Sequence, residues 1–392
     1  MKVAIVYDGL YPYRIGGGEK WYRGLAEELV RRGHDVVYLT CRDWIEPPDL
    51  PFEVVGVAPS AGTYNAAGSR LIGPALRFGW GVMRYVHAHP TIDVMHCASF
   101  PYFSLLGASL GRLGRSRRVV LVSDIFEVWN ARYWRDYLGN IRGSIGWAVE
   151  RAAYRTVSAR FVFSKLHRAR LGALSSTLLP GLFGGELRDS VGSVKSRPLL
   201  LYVGRLIPEK GASLIPEMIE LVRRDVDVEC QIVGLGPDAE KIQEDINRRG
   251  LRASVSILAP LSEEKLRHKL AEASCVLLPS RREGYGLIVI EAAAEGTPVI
   301  TLRHPDNAAV ELISSENGWV VDTADPNDWS TAIRLAVSDS HASKERALVW
   351  AHRERVQDSL TWSADVIERE YERLRDRKSS RRRFEIRRRR RG

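Results

Sequence analysis

From residue 199 onward, short apolar runs alternate with amphipathic stretches at a nearly regular interval, and this alternation restricts the fold more than any other feature of the chain. L-L-L-Y-V (199–203) precedes a 3.6-period segment that sets Leu214, Ile215, Met218, Ile219 and Val222 on one side. Q-I-V-G (231–234) precedes 238–249, S-V-S-I-L (254–258) precedes 262–273, C-V-L-L-P (275–279) precedes 287–295, and P-V-I-T (298–301) precedes 306–313. Strands that alternate with helices at this interval predict a parallel sheet covered on both faces. The N-terminal half opens the same way: K-V-A-I-V-Y-D, a glycine loop, a helix carrying Trp21, Leu25 and Leu29, a stop at Gly33, then V-V-Y-L-T. The expected class is therefore α/β, with two doubly wound, Rossmann-like parallel-sheet domains.

At 392 residues the chain has room for two cores. The most Gly/Ser-rich stretch, 181–198, reads as the linker. The expected domains are 1–185 and 186–370, with the last helix able to pack back on the first, followed by a basic, disordered tail over 373–392. That tail holds twelve Arg or Lys against two acids and accounts for the whole net charge of +10, so the body is neutral. No uncharged apolar run approaches the roughly 20 residues of a spanning helix. The N-terminal segment lacks the pattern of a signal peptide, so the expected location is the cytoplasm, with peripheral contact at the inner face of a membrane. Cys41, Cys97, Cys230 and Cys275 have no metal-binding spacing and read as buried reduced thiols.

Parallel sheets bind ligands beyond the carboxyl ends of their strands, and two such sheets facing each other would make an interdomain cleft. Three stretches fall at such ends. In S-R-R-E-G-Y-G-L-I-V-I-E-A-A-A-E-G (280–296), Glu283 lies in the loop after a buried strand, ahead of a helix that stops at Gly296. Gly284 and Gly286 allow close backbone approach, and the first N–H groups of the helix suit phosphate oxygens or sugar hydroxyls. Glu291, about two turns along, stands among Ile290, Ala292 and Ala293, where a carboxylate needs hydrogen-bond donors such as a ribose diol. In L-Y-V-G-R-L-I-P-E-K-G (201–211), Arg205 and Lys210 sit at the same kind of sheet edge, two cations suited to a diphosphate. Q-I-V-G-L-G-P (231–237) offers Gly234 and Gly236, which would keep that edge open for a base or ribose.

These elements resemble, in order, the retaining glycosyltransferases of family four (glycosyl transferases group 1), which have two Rossmann-like domains in the GT-B arrangement. The carrying residues are Gly204 to Gly211, Gly234 to Pro237, Pro279 to Gly286 and Glu291 to Val299, with the N-terminal G-G-G-E-K-W-Y-R-G-L-A-E-E-L-V-R-R-G-H-D-V. The resemblance implies that Arg205 and Lys210 bind the diphosphate of a nucleotide-sugar donor and Glu291 its ribose. Glu283, with Gly284, Tyr285, Gly286 and Leu287, would hold the sugar, and Gly16, Gly17 and Gly18 would close over the diphosphate beside Gly204. It implies catalysis resting on Glu283, Arg205 and Lys210, no metal, no cofactor, and retained anomeric configuration.

The sequence departs from the family pattern where a histidine commonly precedes an acid on the acceptor side. V-V-L-V-S-D-I-F-E-V-W-N (119–130) has Phe126 before Glu127, so the usual polar contact is missing or comes from Asp124, Glu127 or elsewhere, with His96 a substitute candidate that reads more readily as a packed strand-end histidine. A nucleotide-sugar epimerase of the same fold, or a non-catalytic sugar-nucleotide-binding partner, stands as the alternative. The acceptor, whether glycan, lipid or small molecule, is not named by any motif. Residues 94–123 contain no acid but do contain Arg112, Arg115, Arg117 and Arg118, and Trp129, Tyr133, Trp134, Tyr137 and Trp147 alternate downstream with Arg132, Arg135 and Arg142. Such a pattern, with the Arg tail, suits an anionic membrane, and no motif favours specific nucleic-acid binding.

Overall fold

The computed structural model describes residues 1–46, 48–60, 62, 71–113, 119–192 and 196–389, with side chains as far as 377. The chain forms two compact units: Met1–Asn65, Arg70–Leu182 and Leu360–Gly392 make the first, and Ala66–Ser69 with Phe183–Ser359 the second.

In unit 1, β1 (Lys2–Val6) leads to α1 (Gly17–Arg31), β2 (Asp35–Arg42), β3 (Glu53–Pro59) and α2 (Ile72–Ala88). β4 (Val94–Ala98), α3 (Tyr102–Gly111), β5 (Val120–Ile125), α4 (Ala131–Leu138) and α5 (Asn140–Arg155) follow, then β6 (Ala159–Val162), α6 (Lys165–Arg170) and β7 (Thr177–Leu178). The sheet runs β3-β2-β1-β4-β5-β6-β7, parallel throughout. α1 forms where Trp21, Tyr22, Leu25, Ala26 and Leu29 recur on one buried stripe, and Gly33, at φ 84°, turns the chain out of it.

Unit 2 contains β8 (Leu199–Val203), α7 (Ile215–Val222), β9 (Glu229–Val233), α8 (Ala239–Arg248), β10 (Val255–Leu258) and α9 (Glu263–Glu272). It continues with β11 (Cys275–Leu278), β12 (Arg282–Glu283), α10 (Leu287–Ala294), β13 (Val299–Leu302), β14 (Asp306–Asn307) and β15 (Gly318–Val321), then α11 (Pro326–Ser338) and α12 (Ser340–Arg353). Its sheet runs β10-β9-β8-β11-β13-β15. Strands such as β11, buried along their whole length, are apolar throughout because helices cover both faces. All four cysteines are free and buried, and burial pushes the Cys275 thiol up to about 12.

Three expectations change. The helix predicted over 306–313 is instead β14 followed by a 3-10 turn at Ala308–Leu312. The buried Asn307 side chain donates to the carbonyls of Ser280 and Leu302 and accepts from Ala309 N, which holds this segment in a non-helical path. The second domain ends at Ser359, not at 370. Of the tail expected to be disordered from 373, the residues as far as Arg389 lie instead in α13 (Ser359–Arg389). α13 belongs to unit 1 because Ala364, Ile367, Tyr371 and Leu374 extend one buried stripe along it. Arg32 and His34 add contacts to Glu368 at 2.9 and 2.8 Å.

Candidate active site

Strand order reverses in unit 2 between β8 and β11, which pair side by side, so the loops leaving their carboxyl ends flank the switch point where open α/β sheets take ligands. The loop after β8 carries Gly204, Arg205 and Lys210; the loop after β11 carries Glu283 to Gly286. Arg281 N donates to Glu209 O at 2.8 Å and ties the two loops together. Lys210 Nζ reaches Glu283 Oε1 at 2.7 Å and Arg282 O at 3.4 Å. The structure therefore joins two residues to which the sequence gives separate roles. Glu283 itself is in a short strand, paired through β12 and β14, and not in an open loop.

Arg205 is exposed on the same loop. The hydroxyl of Tyr202, at the end of β8, donates to Arg205 O at 2.9 Å. Burial pushes that hydroxyl well up, the Glu283 carboxylate adds to the shift, and the Arg205 guanidinium opposes it. This buried phenol, which no motif singles out, ties down the start of the loop that carries Arg205. Its only signal was its position, two residues before Gly204 at the end of an apolar strand.

α10 begins immediately beyond. Gly286 precedes it at φ 94°, a conformation that only glycine adopts without strain, and a Cβ there would stand 2.5 Å from that of Ala309. The cap residue is a glycine and makes no side-chain hydrogen bond, which leaves the positive dipole end of the helix without a side-chain cap, while Val289 N donates to Gly286 O at 2.9 Å. Gly284 and Tyr285 are buried, Leu287 is half-buried, and Glu291 is half-buried one turn into the helix. Gly234 and Gly236, expected to keep the edge open, have a packing reason as well. A Cβ on Gly234 would come within 1.9 Å of Gly204 O, and one on Gly236 within 2.2 Å of Leu206 O.

In unit 1 the glycine loop leads into α1 with Gly16 at the cap, Gly17 as first residue and no side-chain cap. A Cβ on Gly16 would meet the Glu19 carboxylate at 2.3 Å, and one on Gly18 the Tyr7 hydroxyl at 2.7 Å. His96 and Asp124, proposed from the sequence as acceptor contacts, are fully buried, in the middle of β4 and near the carboxyl end of β5, so neither is open to an acceptor in this structure. They form an internal polar cluster instead. His96 Nε2 lies 2.8 Å from Asp124 Oδ1, Trp21 Nε1 donates to Asp124 Oδ2 at 2.6 Å, and the Tyr371 hydroxyl meets His96 Nδ1 at 2.5 Å. Glu127 is half-buried and accepts from Trp129 Nε1 at 2.8 Å. Phe126 stacks on Phe163 with ring centroids 4.8 Å apart.

Two parallel sheets, one with two cations and a carboxylate on the loops at its switch point, place the chain in the α/β class whose open sheets take ligands there. Residues 185–355 match the model for glycosyl transferases group 1, and residues 16–177 match that for a glycosyl transferase 4-like domain. The chain belongs to the group 1 glycosyltransferases and has their GT-B fold; it is an enzyme that uses nucleotide-sugar donors. It is 28% identical to a GDP-mannose-dependent alpha-(1-6)-phosphatidylinositol monomannoside mannosyltransferase of Mycolicibacterium smegmatis, over 86% of this chain and 88% of that one. It is 34% identical to the alpha-D-kanosaminyltransferase of Streptomyces kanamyceticus, over 35% of each chain. Among solved structures, sucrose-phosphate synthase from Thermosynechococcus elongatus superposes with a TM-score of 0.75 at 20% identity, covering 95% of this chain and 98% of that one.

Proposed function

We propose that unit 2 binds a nucleoside diphosphate sugar and that the enzyme transfers the sugar, with retention of anomeric configuration, to a lipid-linked or cell-surface glycan acceptor. The observation that carries the reading is the Lys210–Glu283 pair beside the uncapped start of α10. Lys210 and Arg205 supply positive charge for the diphosphate, which becomes the leaving group, and stabilise the charge that develops on it as the glycosidic bond breaks. Glu283, already held by Lys210, is placed to accept hydrogen bonds from sugar hydroxyls, and Glu291 from the ribose. In front-face attack the leaving phosphate takes the acceptor proton, so no further base is required from the protein. These cations do the work of a metal. The name of the mycolicibacterial relative, an enzyme acting on a phosphatidylinositol mannoside, supports a lipid acceptor.

The test is donor binding in Lys210→Ala and Arg205→Ala. Each is expected to weaken the intact donor and the free nucleoside diphosphate alike, by about 1.5 to 3 kcal/mol for a lost charge-assisted contact. Calorimetric titration that finds unchanged diphosphate affinity in both variants removes the phosphate assignment. Proton NMR of the first product formed decides retention against inversion.

A further inference from the structure

The helices on one face of the unit 1 sheet carry an unusual outer surface. Phe78 and Val82 of α2, Leu105 of α3 and Tyr154 of α5 share a single buried cluster with Ala4, Val37 and Met95 of the sheet, so these helices form one layer and their opposite faces turn outward together. On α2, Ile72, Leu76 and Trp80 are four residues apart and all exposed, Trp80 by 62%. On α5, Ile141 and Ile145 repeat the same spacing at 79% and 58% exposure, with Trp147 beside them. Leu110 of α3 is exposed as well. Apolar stripes facing away from the core are the reverse of what an amphipathic helix of a globular protein shows.

The charge on this layer has one sign. α2 and α3 contain no acidic residue, and the single acid of α5, Glu150, is fully buried beneath four donors from Tyr102, Trp129, Trp134 and Tyr154. Arg77, Arg84, Arg142 and Arg155 are exposed, and the Arg151 guanidinium lies over the Trp147 ring at 6.0 Å. The neighbouring α4 adds one acid, Asp136, 3.9 Å from Arg132. Beside Trp80, a groove of about 820 Å³ opens between α2 and β3, floored by Val57 and Pro59 and edged by Arg77 and Arg84. No helix among the described residues is long and apolar enough to cross a membrane, so this layer could engage a bilayer only from its surface.

We propose that the outer face of the α2–α3–α5 layer docks on an anionic lipid bilayer, with Ile72, Leu76, Trp80, Ile141 and Ile145 entering the headgroup boundary. The arginines of a layer in which α2, α3 and α5 expose no acid complement lipid phosphates, while tryptophan and isoleucine on the same face gain from the interface. A protein partner of matching chemistry would have to be both acidic and apolar over the same area, and the bilayer supplies both at every point. The proposal deepens the lipid-acceptor reading and rests on it for its purpose.

Flotation of the full chain with phosphatidylcholine vesicles, with and without roughly a third phosphatidylglycerol, tests it. The wild type is expected to bind the anionic vesicles alone, with binding weakened by salt. Trp80→Ser with Ile145→Ser is expected to lower the partition coefficient at least ~10-fold. Glutamine at Arg387 to Arg391 is expected to leave the preference for anionic vesicles in place. The double variant exposes no new core, so its melting temperature and nucleoside diphosphate affinity should equal the wild type's. Equal binding by the wild type and the double variant overturns the proposal, as does wild-type binding to neither vesicle. A wild-type dimer that the double variant dissociates also overturns it and assigns the face to a second copy of the chain. In each of these cases, retained diphosphate binding leaves the donor reading standing; its loss in the wild type would sink that reading instead.

Discussion

Asp124 in unit 1 and Glu283 in unit 2 both lie at or beyond the carboxyl ends of parallel strands, and both stand within hydrogen-bonding distance of a basic side chain. Their surroundings separate them. Asp124 is fully buried and meets His96 and the Trp21 indole. Glu283 keeps 13% of its side chain exposed and its partner Lys210 keeps 18%, next to an uncapped helix. A carboxylate enclosed by protein donors fixes the fold, whereas one that shares its partner with solvent can exchange that partner for a ligand. Mutation should separate the two: unit 1 should lose stability, and unit 2 should lose binding.

The largest effect is expected at Asp124. Asp124→Ala leaves His96 and the Trp21 indole N–H without their acceptor in a sealed site, and breaking such a buried pair costs about 3 to 5 kcal/mol. Chemical denaturation of the variant should show that loss in the unit 1 transition, while nucleoside diphosphate binding to the folded protein stays at the wild-type level. A variant as stable as the wild type would contradict the structural role given to the cluster.

Smaller changes are expected from the two glutamates of unit 2. Glu291→Ala should weaken the free nucleoside diphosphate and the intact donor together, by about 1 to 2 kcal/mol, since a ribose contact is common to both. Glu283→Ala should lower turnover yet leave diphosphate affinity the same or tighter, because Lys210 is then released from its carboxylate. Identical behaviour of the two variants in titration and kinetics would end this division of roles.

The effect confined to the narrowest conditions is a pH dependence in unit 2, seen only above about pH 8. Lys344 is buried in α12 and donates to Ala271 O and Ala273 O at 2.8 Å and to Thr297 Oγ1 at 3.1 Å. Burial, with the nearby Arg188 charge adding to it, brings its pKa down to about 8. The unfolded chain holds this proton up to roughly pH 10.4, so between about pH 8 and 10.4 the unfolded state binds more protons and raising the pH stabilises the fold. The gain is at most about 3 kcal/mol across that window. Lys344→Met, destabilised overall by its orphaned carbonyls, should lack this rise, so the stability gap between wild type and variant should widen from pH 8 to 10. A constant gap would show that Lys344 is not depressed.

The strand and helix alternation made both parallel sheets legible, because a buried parallel strand is apolar along its whole length and its crossover helix is amphipathic. The position of Arg205, Lys210, Glu283 and Glu291 in the loop or helix just after a strand was legible from the same pattern. What stayed hidden depends on contacts distant in sequence. His96 reads as a strand-end histidine, and nothing near it announces Tyr371, which arrives 275 residues later to meet it. The tail reads as a solvated arm from its charge, but the apolar stripe through Ile367, Tyr371 and Leu374 leads a helix into it. Arg115, Arg117 and Arg118 of the predicted basic patch lie outside the described residues, while the exposed apolar stripes of α2 and α5 look in the sequence like ordinary core stripes.

The sequence by itself determined the class of fold, the two sheets and the loops that hold Arg205, Lys210 and Glu283, because hydrophobic period and turn residues act over neighbouring positions. Only the tertiary structure decided which carboxylates are sealed and which are open, that Lys210 and Glu283 share one ion pair, and which apolar faces remain outside. Burial and pairing are properties of what packs on a residue, and the partners that settle them here come from other elements of the fold: Trp21 and Tyr371 for the buried cluster, the loop after β8 for Glu283, and the sheet beneath α2 and α5 for the outward stripes.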